Sequence, residues 1–310
     1  MIEAEGLTKR FAGTTAVDSL TLHVEEGEIF GLLGPNGAGK TTTVRMLASL
    51  ISRTSGSAVV AGCRLGNEAD ELRLRRRIGI LPENVGLYEG DSAYGNLEYF
   101  GRLQRVDPQT LRANIERLLR RMDLWEKRDL AVGSFSKGMK QKVAIARALV
   151  HDPVLLFLDE PTANLDPEAA KTVREIILEL KKEGRTILLN THNLDEAQRI
   201  CDRVGILRTR LLTVGAPRAL EETLWGQRTL VRVERLSDDL LARVRARLAP
   251  RRVEVSGDAL VVEVRDPAVD NPEIAEAVIA SGGRLRELAP LSPSLEDVYL
   301  RLVREGGPAA

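Results

Sequence analysis

Short apolar runs alternate with helical patterns along the chain. The runs that predict buried strands are Glu28–Leu33, Val154–Leu158, Thr186–Asn190 and Val204–Leu207. Helical patterns follow at Lys40–Leu50 and at Pro167–Glu183, where Asp166 is expected as the N-cap and Pro167 as the first helical residue. Strands separated by helices favour a mostly parallel sheet covered on both faces, so the pattern predicts the α/β class.

The strand signals disappear between about residues 93 and 150. Helical periodicity is present at Ala93–Arg105, Pro108–Met122 and Lys137–Val150. We therefore expect a helical subdomain, at about residues 84–150, inserted into the α/β core.

The pattern changes again near Trp225-Gly226-Gln227. Predicted strands and helices then follow in the order βαββαβ, with one helix more: Thr229–Val233, Asp238–Leu248, Arg252–Val255, Ala259–Val264, Pro272–Ala280, Arg284–Leu288 and Leu295–Val303. That order suits a small split-βαβ sandwich. The sequence thus predicts a large domain at residues 1–220 and a C-terminal accessory α+β domain at 221–310.

Composition disfavours several classes of protein. The chain has 310 residues with 45 Lys+Arg and 45 Asp+Glu, and it has no basic stripe, so we expect no nucleic-acid partner. Cys63 and Cys201 do not belong to a Cys/His cluster of the kind that binds zinc. Two isolated cysteines are consistent with a protein of a reducing compartment. Met1–Gly6 does not resemble a signal peptide, and no run approaches the ~18–20 apolar residues of a membrane span. A membrane role would therefore come through a partner.

A phosphate-binding loop is predicted at Gly34–Thr41, which matches GxxxxGK[ST] between a predicted strand and a predicted helix. Glycines let the backbone wrap a phosphate closely, and the helix N-terminus attracts anions. Lys40 should reach the β- and γ-phosphates of ATP, and the Thr41 hydroxyl should bind magnesium. The plain alternative is a glycine-rich turn, which the strand and helix context disfavours.

Asp159 and Glu160 end a predicted strand. Because side chains alternate along a strand, the two carboxylates should point in different directions. Asp159 can then hold magnesium, while Glu160 faces the attacking water as general base. By itself the pair would more simply be a solvated strand end, but its partnership with the phosphate loop favours catalysis.

Several motifs resemble those of ABC-type ATPases over residues 1–220. Phe135–Lys142 resembles the signature motif LSGGQ, and Asp159–Asp166 resembles the second acidic motif running into the D-loop. His192 resembles the switch histidine, and Phe11 stands where that family has an adenine-stacking aromatic residue. The resemblance implies a P-loop NTPase core.

The resemblance also implies a head-to-tail dimer with ATP between the phosphate loop of one subunit and the signature of the other. Residues that would bind the subunit's own ATP are Phe11, Val17, Asn36, Gly37, Ala38, Gly39, Lys40, Thr41 and Thr42. Residues that would contact the partner's ATP are Ser136, Lys137, Gly138 and Met139. His192 would sense the γ-phosphate, Asp166 would lie in the D-loop, and Glu83 would join Thr41 and Asp159 at magnesium. Ser136 is also a natural N-cap, and both readings can hold.

The sequence departs from the family pattern at a few positions. Lys137 and Met139 replace a glycine and the glutamine of the common signature, and Ala163 replaces the usual D-loop serine. Glu83 stands where the family has glutamine, which keeps an oxygen but adds a charge.

The segment from Thr229 to Leu300 resembles an extension found on ATPases of drug-resistance and sodium-efflux exporters, whose membrane subunits are separate chains. We therefore expect an ATPase that powers a membrane exporter by ATP-driven dimer closure and reopening, peripheral at the cytoplasmic face of the cell membrane. A homodimer is expected, and a heterodimer stays open. The alternative is a soluble ABC ATPase acting on ribosomes or DNA, disfavoured by the single phosphate loop and the absence of a basic linker or long heptad run. A non-hydrolytic binding module is disfavoured because Lys40, Asp159, Glu160 and His192 are present.

A contact with the membrane subunit is expected between Glu83 and about Phe100, including Leu87, Tyr88 and Tyr94. Gly86-Leu87-Tyr88 puts apolar and aromatic groups in a predicted loop, and exposed groups of this kind often mark a contact. The alternative is that Leu87 and Tyr88 cover the chain's own core.

Overall fold

The computed structural model describes residues 1–225, 227–291 and 295–305. This part of the chain separates into two compact units between Ala216 and Pro217, and the second unit ends at Arg304. Gly226, residues 292–294 and residues 306–310, all within the accessory domain expected from the sequence, lie outside the described residues.

The first unit contains a six-stranded sheet and an antiparallel sheet, with helices between the strands. Its strands are β1 (Ile2–Phe11), β2 (Thr14–Val24), β3 (Ile29–Leu33), β4 (Ser55–Val60), β5 (Cys63–Arg64), β6 (Ile78–Leu81), β7 (Leu155–Asp159), β8 (Thr186–Asn190), β9 (Arg203–Arg208) and β10 (Arg210–Gly215). Its helices are α1 (Lys40–Leu47), α2 (Glu68–Arg77), α3 (Ala93–Leu103), α4 (Pro108–Arg121), α5 (Lys137–Leu149), α6 (Pro167–Lys182) and α7 (Leu194–Ile200).

The six-stranded sheet has the order β10-β9-β3-β8-β7-β6 and is parallel except for the β9–β10 pair. The central strands β3, β7 and β8 are buried along their whole length. Strands of this kind consist mostly of apolar residues, which is why the apolar runs predicted all three correctly. Because these strands are parallel, their carboxyl ends meet at one edge. The loops that follow β3, β7 and β8 therefore converge there.

The antiparallel sheet, with order β2-β1-β4-β5, was not predicted. The prediction was based on apolar runs, whereas β1 and β2 bury alternate residues on much of their length. Ile2 pairs with Val24, and both side chains are fully buried. They belong to the same core cluster as Phe30 and Phe157 of the parallel sheet, so a mostly parallel sheet describes only part of this unit.

The helices α3, α4 and α5 lie in sequence between β6 and β7, as expected for an inserted helical subdomain. Their bounds agree with the predicted ones to within two residues. Helix α1 ends at Leu47 rather than at the predicted Leu50, because Ser49 has φ 55°, outside the helical region.

The second unit contains β11 (Gln227–Val233), β12 (Val253–Ser256), β13 (Ala259–Val264) and β14 (Leu285–Leu291), with helices α8 (Pro217–Trp225), α9 (Asp238–Leu248), α10 (Pro267–Ala280) and α11 (Leu295–Glu305). Its sheet has the order β12-β13-β11-β14 with antiparallel neighbours, which is the predicted split-βαβ arrangement. The predicted start of α10 at Pro272 was wrong. Asp266 caps the helix by accepting from the Ala268 N–H, so Pro272 lies inside it.

No helix among residues 1–225, 227–291 and 295–305 is long and apolar enough to span a bilayer.

Candidate active site

A cleft of about 680 Å³ lies at the carboxyl edge of β3, β7 and β8. Most of the site residues predicted from the sequence line this cleft. Its lining residues are Phe11, Ala16, Asn36, Gly37, Ala38, Gly39, Lys40, Thr41, Thr42, Glu83, Asp159, Glu160, Thr162, Ala163, Asn164, Asn190, His192 and Asn193.

The loop between β3 and α1 depends on its glycines. Gly37 and Gly39 have φ 80° and 99°, in the region that favours glycine. A Cβ atom on Gly39 would overlap the carbonyl oxygen of Ala16, and one on Gly34 would overlap that of Leu207. These glycines therefore allow the loop to turn tightly against neighbouring backbone while it lines the cleft.

The N-terminus of α1 is suited to an anion. The helix has no acidic residue in its first turn and no side-chain cap, so its first N–H groups remain available. Lys40 is 7% exposed, and its Nζ donates to the carbonyl oxygens of Gly34 and Pro35 at 2.8 and 3.2 Å. Burial lowers the pKa of Lys40, while Glu160, Asp159 and Glu83 act in the opposite direction.

Asp159 is the last residue of β7 and pairs in register with Asn190 at the end of β8. The Asn190 amide donates to the Asp159 carboxylate and lies 3.5 Å from the Thr41 hydroxyl. Burial raises the pKa of Asp159, and the charges of Glu160 and Glu83 add to this, while the Asn190 hydrogen bond opposes it. The phosphate loop and the acidic strand end thus meet through Asn190.

These oxygen donors fit a magnesium ion. Thr41 and Asp159 supply a hydroxyl and a carboxylate, which are ligands that Mg²⁺ accepts, and Glu83 lines the same cleft. The Oδ1 atom of Asn190 is buried there without a hydrogen-bond partner among the described residues. A buried oxygen without a hydrogen-bond partner beside a carboxylate fits the ligand set of a bound cation.

Glu160 occupies a strained position directly after β7. Its φ is 50°, and its backbone N–H donates to the Asn190 carbonyl at 2.8 Å. Oε1 of Glu160 accepts from the backbone N–H of His192 at 3.0 Å and lies 2.7 Å from His192 Nδ1. The Thr191 hydroxyl lies 3.4 Å from Oε2. The segment after β8 therefore holds the Glu160 carboxylate.

Phe11 lines the cleft as expected, but Val17 does not. Phe11 precedes the β1–β2 turn, is 47% exposed, and has Lys9 Nζ 4.8 Å from its ring centroid. Val17 is fully buried behind the phosphate loop, and its neighbour Ala16 faces the cleft instead. Successive side chains of a strand point to opposite faces, so Ala16 and Val17 of β2 point in opposite directions.

The signature residues and Asp166 do not line this cleft. The Ser136 hydroxyl caps α5 by accepting from the Met139 N–H at 3.3 Å. Ser136 and Lys137 are exposed, and Gly138 and Met139 are half-buried. Asp166 caps α6 by accepting from the Ala169 N–H at 2.8 Å. None of these residues lines the cleft around the chain's own phosphate loop.

The sequence did not nominate Asn190, Thr162, Asn164 or Asn193 for the site, although all four line the cleft. For Asn190 a signal was present, because it is the polar end of a predicted buried strand that should lie beside the Asp159 strand. The other three were hidden in loops, where local pattern gives no direction to a side chain.

The fold and the cleft together define a P-loop NTPase. The family model described as ABC transporter matches residues 17–163. The Nod factor export ATP-binding protein I of Burkholderia pseudomallei (strain 1710b) is 39% identical over 304 residues, covering 97% of this chain and 96% of that protein. The daunorubicin resistance ATP-binding protein DrrA2 of Streptomyces coeruleorubidus is 36% identical, covering 97% and 94%. The chain therefore belongs to the ABC transporter family and is an ATP-binding subunit that hydrolyses ATP.

Solved structures agree on the fold. One, described as the ATP binding subunit of an ABC transporter, has a TM-score of 0.66 at 31% identity and covers 73% of this chain and 94% of its own. Another, cbiO1 from Clostridium perfringens, has a TM-score of 0.66 at 28% identity and covers 72% and 91%. Subunits of this family dimerise and work with transmembrane permease components.

Proposed function

We propose that Glu160 is the general base of ATP hydrolysis and that Lys40 and the N-terminus of α1 bind the β- and γ-phosphates. The supporting observation is that Lys40, Thr41, Asp159 and Glu160 share one cleft. Glu160 is held at Oε1 by two nitrogen atoms of His192, and a held carboxylate is better placed to accept a proton from water. His192 in turn senses the γ-phosphate from the same position.

Magnesium is proposed at Thr41, Asp159 and Glu83, where it would neutralise phosphate charge. The buried Asn190 amide orients the Asp159 carboxylate, and Glu83 adds negative charge at the edge of the cleft. Phe11 would stack on the adenine, with Ala16 rather than Val17 beside it. Asn36, Gly37, Ala38, Gly39 and Thr42 complete the phosphate cradle.

The site is proposed to be shared between two subunits. Ser136–Met139 lie at an exposed helix N-terminus outside the chain's own cleft, and the first turn of α5 carries no acidic residue. Such an end attracts anions, so it can contact the γ-phosphate bound by a second subunit. We propose a head-to-tail homodimer, with Asp166 in the D-loop between the sites. ATP would close it and hydrolysis would reopen it.

The proposed role is export across a membrane, through separate transmembrane subunits at the cytoplasmic face. The two relatives above are named for Nod factor export and daunorubicin resistance, and both match nearly the whole chain. The two solved structures cover under three quarters of it. The likeness to the export proteins thus includes the second unit, which we propose as an accessory domain that stabilises the dimer.

The proposed contact with the membrane subunit is the segment from Glu83 to Phe100. Tyr88 is 52% exposed, and its ring packs edge-on against Tyr99, with 5.1 Å between the centroids. The buried Asn96 accepts from the Tyr88 N–H at 2.9 Å and donates to its carbonyl at 3.1 Å. The backbone is fixed while the ring stays exposed, as suits a preformed contact.

A mixed dimer tests the shared site. Lys40→Ala removes the phosphate lysine, and Ser136→Arg blocks the signature, so each homodimer should be inactive. In a mixed dimer one site combines both defects and the other has neither, so about half of the wild-type activity should return. Ser57→Arg, at an exposed serine of β4, is the matched control and should be fully active. A verified mixed dimer without activity would contradict the shared site.

A further inference from the structure

Glu196 is a buried carboxyl group behind the candidate base. It lies on α7, is 2% exposed, and has Oε2 3.2 Å from the Thr191 hydroxyl oxygen. Its other oxygen, Oε1, has no hydrogen-bond partner among the described residues. A buried anion with one oxygen unpaired is costly, whereas a neutral acid leaves only a carbonyl oxygen unpaired.

The Thr191 hydroxyl stands between two carboxyl groups. Thr191 is fully buried, and its oxygen lies 3.4 Å from Glu160 Oε2 and 3.2 Å from Glu196 Oε2. It also accepts from the Asn193 N–H at 3.0 Å. A hydroxyl has one proton and two acceptor positions, so it can donate to only one of the two carboxyl groups.

Two distributions of protons satisfy all three contacts, with the proton on Glu196 or on Glu160, and only the first leaves Glu160 able to accept a proton as the proposed base. If Glu196 carries a proton, it donates to Thr191, and the Thr191 proton is free for Glu160. The two acceptor positions of Thr191 are then filled by Asn193 and Glu196. If both carboxyl groups were ionised, one would face a hydroxyl oxygen with no proton between them.

We propose that Glu196 is a positioning residue of the ATPase site that holds a proton, and that its hydrogen bond to Thr191 directs the Thr191 hydroxyl to Glu160. This rests on the proposed role of Glu160 as the base. His192 then holds Oε1 of Glu160 and Thr191 holds Oε2, so both oxygens are fixed.

Burial is the main effect that favours a held proton on Glu196. Burial raises the pKa of Glu196, the nearby charge of Glu160 acts the same way, and the hydroxyl groups of Thr162 and Thr191 and the charge of Arg174 oppose it. The other titratable group facing it is Cys201, whose thiol pKa is also raised by burial. These groups come from the loop after β7, the loop after β8, α6 and the end of α7.

Infrared spectroscopy of the full chain tests the proton directly. At neutral pH the wild-type spectrum should contain the carbonyl band of a protonated carboxyl group that Glu196→Gln removes. Asp195→Asn, at the exposed acid next to it on α7, is the matched control and should leave the band in place. If Glu196→Gln removes no such band, the proposal is wrong, whatever the role of Glu160.

Kinetics test the positioning role. Thr191→Val should lower kcat about 3- to 10-fold, because it removes one hydrogen bond to Glu160. The KM for ATP should change less than about twofold. Thr191→Ser should restore kcat. Glu196→Gln, whose amide can donate to Thr191, should keep kcat within about twofold of wild type, whereas Glu196→Ala should not. Wild-type kcat in Thr191→Val, or equal losses in folded Glu196→Gln and Glu196→Ala, would overturn the proposal.

Discussion

His192 Nδ1 lies 2.7 Å from Oε1 of Glu160, and the backbone N–H of the same histidine donates to that oxygen at 3.0 Å. Two nitrogen atoms of one residue therefore hold one oxygen of the candidate base. His192 is 65% exposed in its side chain and Glu160 only 14%. The histidine ring thus lies on the solvent side of the carboxylate.

Removing the base should separate binding from turnover. Glu160→Gln keeps the shape and loses the proton acceptor, so kcat for ATP should fall by ~10²-fold or more while ATP still binds. The variant should accumulate as an ATP-bound dimer, seen by size-exclusion chromatography with ATP. Glu168→Gln, at an exposed acid of α6, is the control and should behave as wild type. Turnover near wild type in Glu160→Gln would argue against the assignment.

Gly39 should tolerate no side chain. Gly39→Ala places a Cβ against the Ala16 carbonyl at φ 99°, so the phosphate loop must shift. We expect a loss of about 1–3 kcal/mol in the free energy of unfolding and at least tenfold weaker ATP binding. Thermal unfolding and nucleotide titration measure the two effects.

Gly90→Ala provides the control for this substitution, because Gly90 has open space around its Cβ position and no positive φ. It should leave stability within about 0.5 kcal/mol. Equal stability and ATP affinity in Gly39→Ala and Gly90→Ala would refute the steric argument.

Glu83 should influence the use of magnesium. Its carboxylate lines the cleft, and its charge adds to the negative potential at Lys40 and Asp159. Glu83→Gln should shift the magnesium concentration for half-maximal hydrolysis by about two- to tenfold and leave thermal stability unchanged. Glu68→Gln, at an exposed acid of α2, is the control. Identical magnesium titrations for wild type and Glu83→Gln would remove Glu83 from the metal site.

Leu87 and Tyr88 should matter for the membrane partner rather than for hydrolysis. Replacing both with Ser should leave the ATPase activity of the isolated subunit within about twofold, because neither residue lines the cleft, and should weaken co-purification with the transmembrane subunit. Leu72→Ser, at a 55% exposed leucine of α2, is the control. Leu87 is half-buried, so unfolding of the double variant would favour a core role for it.

The sequence by itself determined the parts of the fold that depend on neighbours in the chain. The strands β3, β7 and β8 were predicted because buried parallel strands are apolar throughout. Helix α6 was predicted from its first residue, because Asp166 and Pro167 form a local cap. The phosphate loop could also be predicted, because its glycines, Lys40 and Thr41 are neighbours within one short segment.

Only the tertiary structure decided which distant residues meet. It brought Asn190 between Asp159 and Thr41, and it set Thr191 between Glu160 and Glu196. It also turned Val17 into the core and Ala16 into the cleft. Hydrogen bonds between separate strand ends depend on sheet register and loop direction. Sheet register and loop direction follow from the packing of the whole unit, so they cannot be predicted from a local pattern of apolar and polar residues.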